Sequence, residues 1–497
     1  MWPFEARSYL GARWWTPAVA AALFVGVAGC LPLPDARTNT PPLQATMRVS
    51  PASVPSRAVW VPGASVPGTP EDMNGTTTLR FQLAEPADTI YVAVPGLFGG
   101  ASAFAPLARR LVASQPGTQV WALDRRANAL EDREPVRRAL AASDPAPAVA
   151  AYLGTGDAPP TFLPPRPETH RFVAAWDLDV HLRDLHAVVR EARASAERVV
   201  LLGHSMGASL AGVYVAWRSP DGLGHAQVDG LVLVDGAPGR TGAYGRGRDV
   251  RFAGVRLLPT EEAVRSGEAA PWVTLGKGGA QFAERQAAAV LAALAPEEDA
   301  PAHVRPFALT NLAYGGLMHD DQYGPLNQFY ASIGEVQGAE LDGNLAAFLV
   351  GGPVAARSAS VVGVAAGEER VGWRPGDPRF ERSDAQELFA AWNDPRADVA
   401  EWYVPVELLR DLAALSPDLT DQDAFVPMRE VPLPTLAIGS DRGLLRSHGA
   451  FEAYAEQRLG SSLSVTILRG LTHMDLLTAR DAPVVALVAR WASRLPD

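Results

Sequence analysis

Gly203-His204-Ser205-Met206-Gly207 sets a serine between two glycines, directly after the apolar run Val199-Val200-Leu201-Leu202. A serine on a sharp turn between a buried strand and a helix exposes its hydroxyl to substrate, which is the setting of a nucleophile. Such a turn holds the serine in an unfavourable backbone conformation. Side chains two residues before and after it would strike the neighbouring strand and helix, so Gly203 and Gly207 are the residues that fit. Ala208, Ala211 and Gly212 continue the run of small residues and give the following helix a thin face for close packing. The same pentapeptide could be a glycine-rich loop with an incidental serine; the strand before it and the helix after it favour the nucleophile.

A serine hydroxyl is a weak nucleophile at neutral pH and needs a base, which in turn needs a group to orient it. Among nine histidines, His473 follows the strand-like segment ending at Leu468, on a loop at the carboxyl edge where Ser205 also falls. Catalytic groups of open α/β sheets gather on that edge. His204 adjoins the serine but is expected to point elsewhere; His448, on an expected helix, and His319, in a long insertion, read as packing or surface residues. Two aspartates compete to orient the base, because both end strands. Asp441, after the strand two positions beyond the serine strand, is preferred, and the chain order Ser205, Asp441, His473 then matches that of one fold. Asp235 is the alternative, with a hinge role suggested by Gly236 and Gly239. The backbone N–H groups of Met206 and Leu97 are the expected oxyanion donors, with Phe98 as the alternative to Leu97.

These residues need a scaffold of alternating strands and helices. Thr77–Leu83, Thr89–Val94, Gln119–Leu123, the run before Ser205, Val228–Val234, Leu433–Ile438 and Leu463–Leu468 read as strands, with helices around Ala103–Ser114, before and after the serine strand, near Ala450–Leu459, and from Pro483. The pattern predicts an α/β fold with a mostly parallel sheet covered on both faces. Residues 76–240 and 430–497 form its two halves. Between them, 241–429 lose the rhythm and read as a large, mainly helical cap, with helix-compatible spacing over Ala280–Leu294, Ser383–Trp392 and Val406–Leu415. Trp272, Phe307, Phe329, Tyr330, Phe348, Trp392 and Trp402 of that cap are candidates for an apolar acyl pocket, or simply for the cap's own core. Residues 31–75 are proline-rich and read as a tether with one short strand near Met47–Val49.

At 497 residues, 47% hydrophobic, the chain can bury a substantial core. Its net charge of -11 argues against nucleic-acid partners and against adhesion to anionic lipid by charge. No cysteine–histidine cluster has the spacing of a metal site, and His319-Asp320-Asp321 is too short a signal, so neither metal nor cofactor is expected.

Residues 1–30 have a basic start at Arg7 and Arg13, then an apolar stretch from Trp14 to Gly29 that is short for a membrane span. It ends in Val27-Ala28-Gly29-Cys30, with Cys30 the only cysteine of the chain. This run resembles a bacterial lipoprotein signal. The resemblance implies lipidation of Cys30 and a body tethered to the cell envelope, with Leu31 in place of aspartate pointing to an outer membrane. An ordinary cleaved signal or an uncleaved anchor is the other reading.

Taken together, Pro95-Gly96-Leu97-Phe98-Gly99, Asp124-Arg125-Arg126, Gly203–Gly207, Gly439-Ser440-Asp441 and His473 resemble the α/β-hydrolase fold superfamily, with Pro95 where that family commonly has histidine. The resemblance implies a serine hydrolase acting through an acyl-enzyme on a small-molecule acyl ester. Amide hydrolysis and acyl transfer on the same residues are alternatives, and a non-catalytic surface-binding lipoprotein is an alternative of another class.

Overall fold

The computed structural model describes residues 44–238, 250–252, 255–274, 278–304, 307–323, 329–342, 361–365, 367–415, 419, 423–451, 454, 456 and 463–496. Cys30 and the segment before it, Gly239, Phe348 and most of the helix expected over Ala450–Leu459 lie outside the described residues.

Eight strands make one sheet: β1 (Ser56–Pro62), β2 (Gly75–Phe81), β3 (Ala87–Val94), β4 (Thr118–Asp124), β5 (Ala196–His204), β6 (Gly230–Val234), β7 (Thr435–Arg442) and β8 (Leu463–Thr472). Their spatial order is β1-β2-β4-β3-β5-β6-β7-β8. The two pairings of β2, with β1 and with β4, are antiparallel, and every other pairing is parallel.

The central strands are apolar on both faces because side chains alternate and both faces are covered. Tyr91, Ala93, Val200, Leu202, Val232 and Val234 join one core cluster, with helices α1 (Ala105–Ser114) and α8 (Pro483–Ala492). Ile90, Val92, Val199, Leu201, Leu231 and Leu233 join the other, with α2 (Leu178–Ser195) and α3 (Met206–Ala216). Burying each large aliphatic side chain contributes about 1.5–3 kcal/mol, so the strands nearest Ser205 form a stiff platform. α2 starts where Asp177 caps it by accepting from the Val180 amide at 3.0 Å. α3 is buried along its whole length, which is what its small residues allow.

Two expectations change. The tether is ordered from Ser56 onward as the edge strand β1, whereas Met47–Val49 forms no strand. The long insertion is also more mixed than a helical cap. It holds α4 (Gly279–Leu294), α5 (Asn311–His319) and α6 (Ala385–Trp392), which pack on one another, and also short antiparallel strand pairs such as Glu335–Gln337 with Gly372–Arg374. α7 (Val406–Ala414) lies against α2, where the Leu178 amide donates to Asp411 at 3.2 Å, and joins the α2–α3 core. Among the described residues, no helix is long and apolar enough to cross a membrane.

Candidate active site

The register of the central strands lines up their carboxyl ends: Val94 pairs with Gly203, His204 with Val234, and Val234 with Ile438. Ser205 follows β5 at φ 58° and ψ -126°, a conformation that a side-chain-bearing residue adopts only under constraint. Its amide donates to Val234 O at 2.9 Å, which fixes the turn to the next strand. A Cβ on Gly203 would lie 2.3 Å from Gly207 O, and one on Gly207 would lie 2.1 Å from Val94 O. The two glycines thus permit the close approach that the pentapeptide suggests.

His473 follows β8 and is brought to the same edge, 4% exposed. Its partner is Asp235 and not the preferred Asp441. Asp235 Oδ2 accepts from His473 Nδ1 at 2.6 Å, and the carboxylate is fully buried. It also accepts backbone amides, Leu444 N on Oδ2 and Leu445 N on Oδ1, both at 2.8 Å. Asp235 has φ 49°, a turn that aims its side chain across the sheet edge, and Gly443 leaves room for the loop after β7 to close over it. Asp441 lies three residues past the row of strand ends, where the β7–β8 register shifts, and its Oδ1 accepts from Gly470 N at 2.7 Å. That bond ties the last residues of β7 to β8, on the side of β7 away from β6. The loop after β7 therefore seats the Asp235 carboxylate, and Asp441 at the end of that strand does not meet His473.

His204 is a buried packing residue, and what it packs on is His473. Its Nε2 donates to the backbone carbonyl of His473 at 3.1 Å, and the two rings lie with centroids 4.2 Å apart. Burial, then the neighbouring His473, pushes His204 well below the usual imidazole range, so it stays neutral and holds the His473 loop. The neighbouring imidazole was legible only as adjacency in the sequence; its contact with residue 473 is tertiary.

The loop after β3 passes over the serine: a Cβ on Gly96 would lie 2.7 Å from Ser205 Cβ. Met206 starts α3, where amides have no intrahelical partner, and neither its N–H nor that of Leu97 has a hydrogen-bond partner among the described residues. Phe98, at φ 56°, faces the same cavity. Arg125 clamps this loop from behind, donating to Pro95 O at 2.6 Å and Gly96 O at 2.7 Å while paired with buried Glu401. Asp124 accepts from Ala101 N on the same loop, and Arg126 pairs with Asp184. The Asp124-Arg125-Arg126 motif is thus a brace for the residues around Ser205, and Arg125's part in it had no signal in the sequence beyond its place after a strand.

A cavity of about 190 Å³ opens above Ser205 and His473, with walls mostly of apolar side chains. Of the cap aromatics, Phe329, Tyr330 and Trp392 line it. Trp272 packs on Tyr403, and Trp402 on Tyr152 and Phe162, away from it; Phe307 packs at the edge of the core. His319, read in the sequence as packing, is a wall residue. Behind it, carboxylates of Asp320, Asp321 and Glu381 lie within 4.8 Å of one another. Burial raises Asp321 to about 6 and Glu381 to about 7, while amides of Gln322, Ile333 and Gly334 and the Arg442 guanidinium take their oxygens. These bonds account for the cluster as a fastening between the cap and the end of β7.

No family model matches the chain, and no curated protein sequence matches it. Solved structures do. A candidate lipase from Sulfolobus solfataricus aligns over 92% of this chain and 98% of its own, at 15% identity and a TM-score of 0.49. A thermophilic esterase from Thermogutta terrifontis aligns over 88% and 99%, at 11% and 0.36, and a soluble variant of monoglyceride lipase from Saccharomyces cerevisiae over 91% and 99%, at 10% and 0.37. At these values the likenesses assign no reaction to this chain. Its own strand order, with the serine turn after β5 and the histidine after β8, is that of the α/β-hydrolase fold.

Proposed function

We propose that the protein is a serine hydrolase that cleaves carboxylic esters through an acyl-enzyme. The observation that carries this reading is the buried Asp235–His473 pair at the sheet edge beside a serine held at positive φ. With Nδ1 bound to Asp235, His473 keeps Nε2 to take the Ser205 proton as Oγ attacks the acyl carbon. Negative charge then gathers on the former carbonyl oxygen, and the amides of Met206 and Leu97 are its donors. Collapse of the tetrahedral species breaks the bond to the alcohol, which leaves with the proton from His473. Water, deprotonated by the same imidazole, attacks the acyl-enzyme, and its second collapse returns Ser205 and frees the acid. The mainly apolar cavity fits an ester with hydrocarbon next to the scissile bond.

The test is a fluorophosphonate probe and a short-chain ester applied to the full chain and to Ser205→Ala. Labelling of the parent alone, with a loss of at least about 10³ in kcat for the variant, is expected. Equal turnover by both proteins would sink the proposal.

A further inference from the structure

The cavity above Ser205 is apolar except on its cap side, and that side holds an arginine without a counter-ion. Arg285 stands on α4, and its guanidinium lies over the Tyr330 ring with Cζ 4.3 Å from the centroid. Among the described residues it has no carboxylate partner. Four other buried or half-buried arginines are paired, Arg125 with Glu401, Arg126 with Asp184, Arg110 with Glu387 and Arg382 with Asp481, whereas Arg109, over the Phe81 ring and away from the cavity, is like Arg285 without a carboxylate among the described residues. A cation beside apolar walls and away from an anion is costly to keep, and a bound anion offsets that cost.

Two neighbours on the same wall are neutral. His319 Nδ1 donates to Gly315 O at 2.8 Å, which leaves Nε2 a bare acceptor, buried and without a partner. Burial and the nearby Arg285 lower His319 to about 3, so it does not add a second positive charge. Gln281, one turn before Arg285 on α4, also keeps its Oε1 buried and unpartnered. Both unmet atoms are acceptors, so the attraction for an anion on this wall comes from the Arg285 guanidinium. The distance from wall to reaction centre is short in sequence terms: Tyr330 lies beneath the guanidinium, while Phe329 beside it sets its ring edge-on to His473, centroids 5.5 Å apart.

Resting on the ester-hydrolase reading, we infer that the substrate carries a carboxylate at the end remote from the scissile ester, and that Arg285 is the residue that selects it. The hydrocarbon between the two ends lies along the apolar walls.

Monoethyl adipate and ethyl hexanoate test this, because they match in chain length and differ in a terminal carboxylate against a methyl. The full-length protein is expected to favour the adipate by about tenfold to a hundredfold in kcat/KM, the range of one charge-assisted hydrogen bond. In Arg285→Gln that ratio falls at least tenfold, and Arg285→Lys restores part of it. Turnover of ethyl hexanoate with no adipate preference overturns the inference and leaves the esterase reading standing. A preference that survives Arg285→Gln also overturns the role of Arg285. Turnover of neither ester, together with no fluorophosphonate labelling of Ser205, overturns both. Should a variant fail to fold, the parent's ratio alone decides whether the carboxylate is read.

Discussion

The ends of β6 and β7 sit side by side and each carries an aspartate, yet their surroundings differ in kind. Asp235 leaves β6 one residue past the row of strand ends, fully buried, and receives His473 and two amides. Asp441 stands three residues past that row, at a register shift, half-buried and spent on one amide of β8. The carboxylate that must hold an imidazolium needs fixed donors on its other lone pairs and no water beside it. Only the first place provides that, and it does so by borrowing Leu444 and Leu445 from the loop of the second. An acid and its seat have been divided between neighbouring strands.

The difference can be broken at three points. Asp235→Asn should lower kcat on a short-chain ester by about 10³–10⁴ with the fold intact, since the amide cannot stabilise the imidazolium or hold its tautomer. Gly443→Ala places a Cβ 2.4 Å from Asp235 Oδ2 and must displace either carboxylate or loop, so kcat should fall by about tenfold to a hundredfold. Asp441→Asn keeps an acceptor for Gly470 N and should change kcat by less than about threefold, at a stability loss of at most about 1 kcal/mol in urea titration. A larger kcat loss from Asp441→Asn than from Asp235→Asn would reverse the assignment of the two ends.

The serine turn was legible because its requirements are local: two small residues at fixed spacing, a β-branched run before, small residues after. His473 was legible from its place after the last strand. The acid was not, since chain order says which aspartates end strands and nothing about which end faces the imidazole. That depends on a register shift and on a loop folding back, both tertiary. β1 escaped for a related reason: as an edge strand with Trp60 half-exposed and Pro62 at its end, it lacks a buried face to mark it. In the insertion, helices and short strand pairs mix without period, so the wall holding Gln281, Arg285 and His319 could be assembled only in three dimensions.

The brace behind the serine bears on any attempt to re-engineer this chain. Arg125 grips Pro95 and Gly96 with its charge balanced by Glu401, while Val399 O and Asp398 O take the amides of Gly100 and Ser102, and Glu401 N donates to Phe98 O. Those three partner residues, Asp398, Val399 and Glu401, come from the far end of the insertion. Trimming 241–429 to widen access, or grafting in the insertion of another chain, would therefore strip the loop over Ser205 of its anchor along with the roof. A transplant has a chance of working only if 398–401 travel with the core.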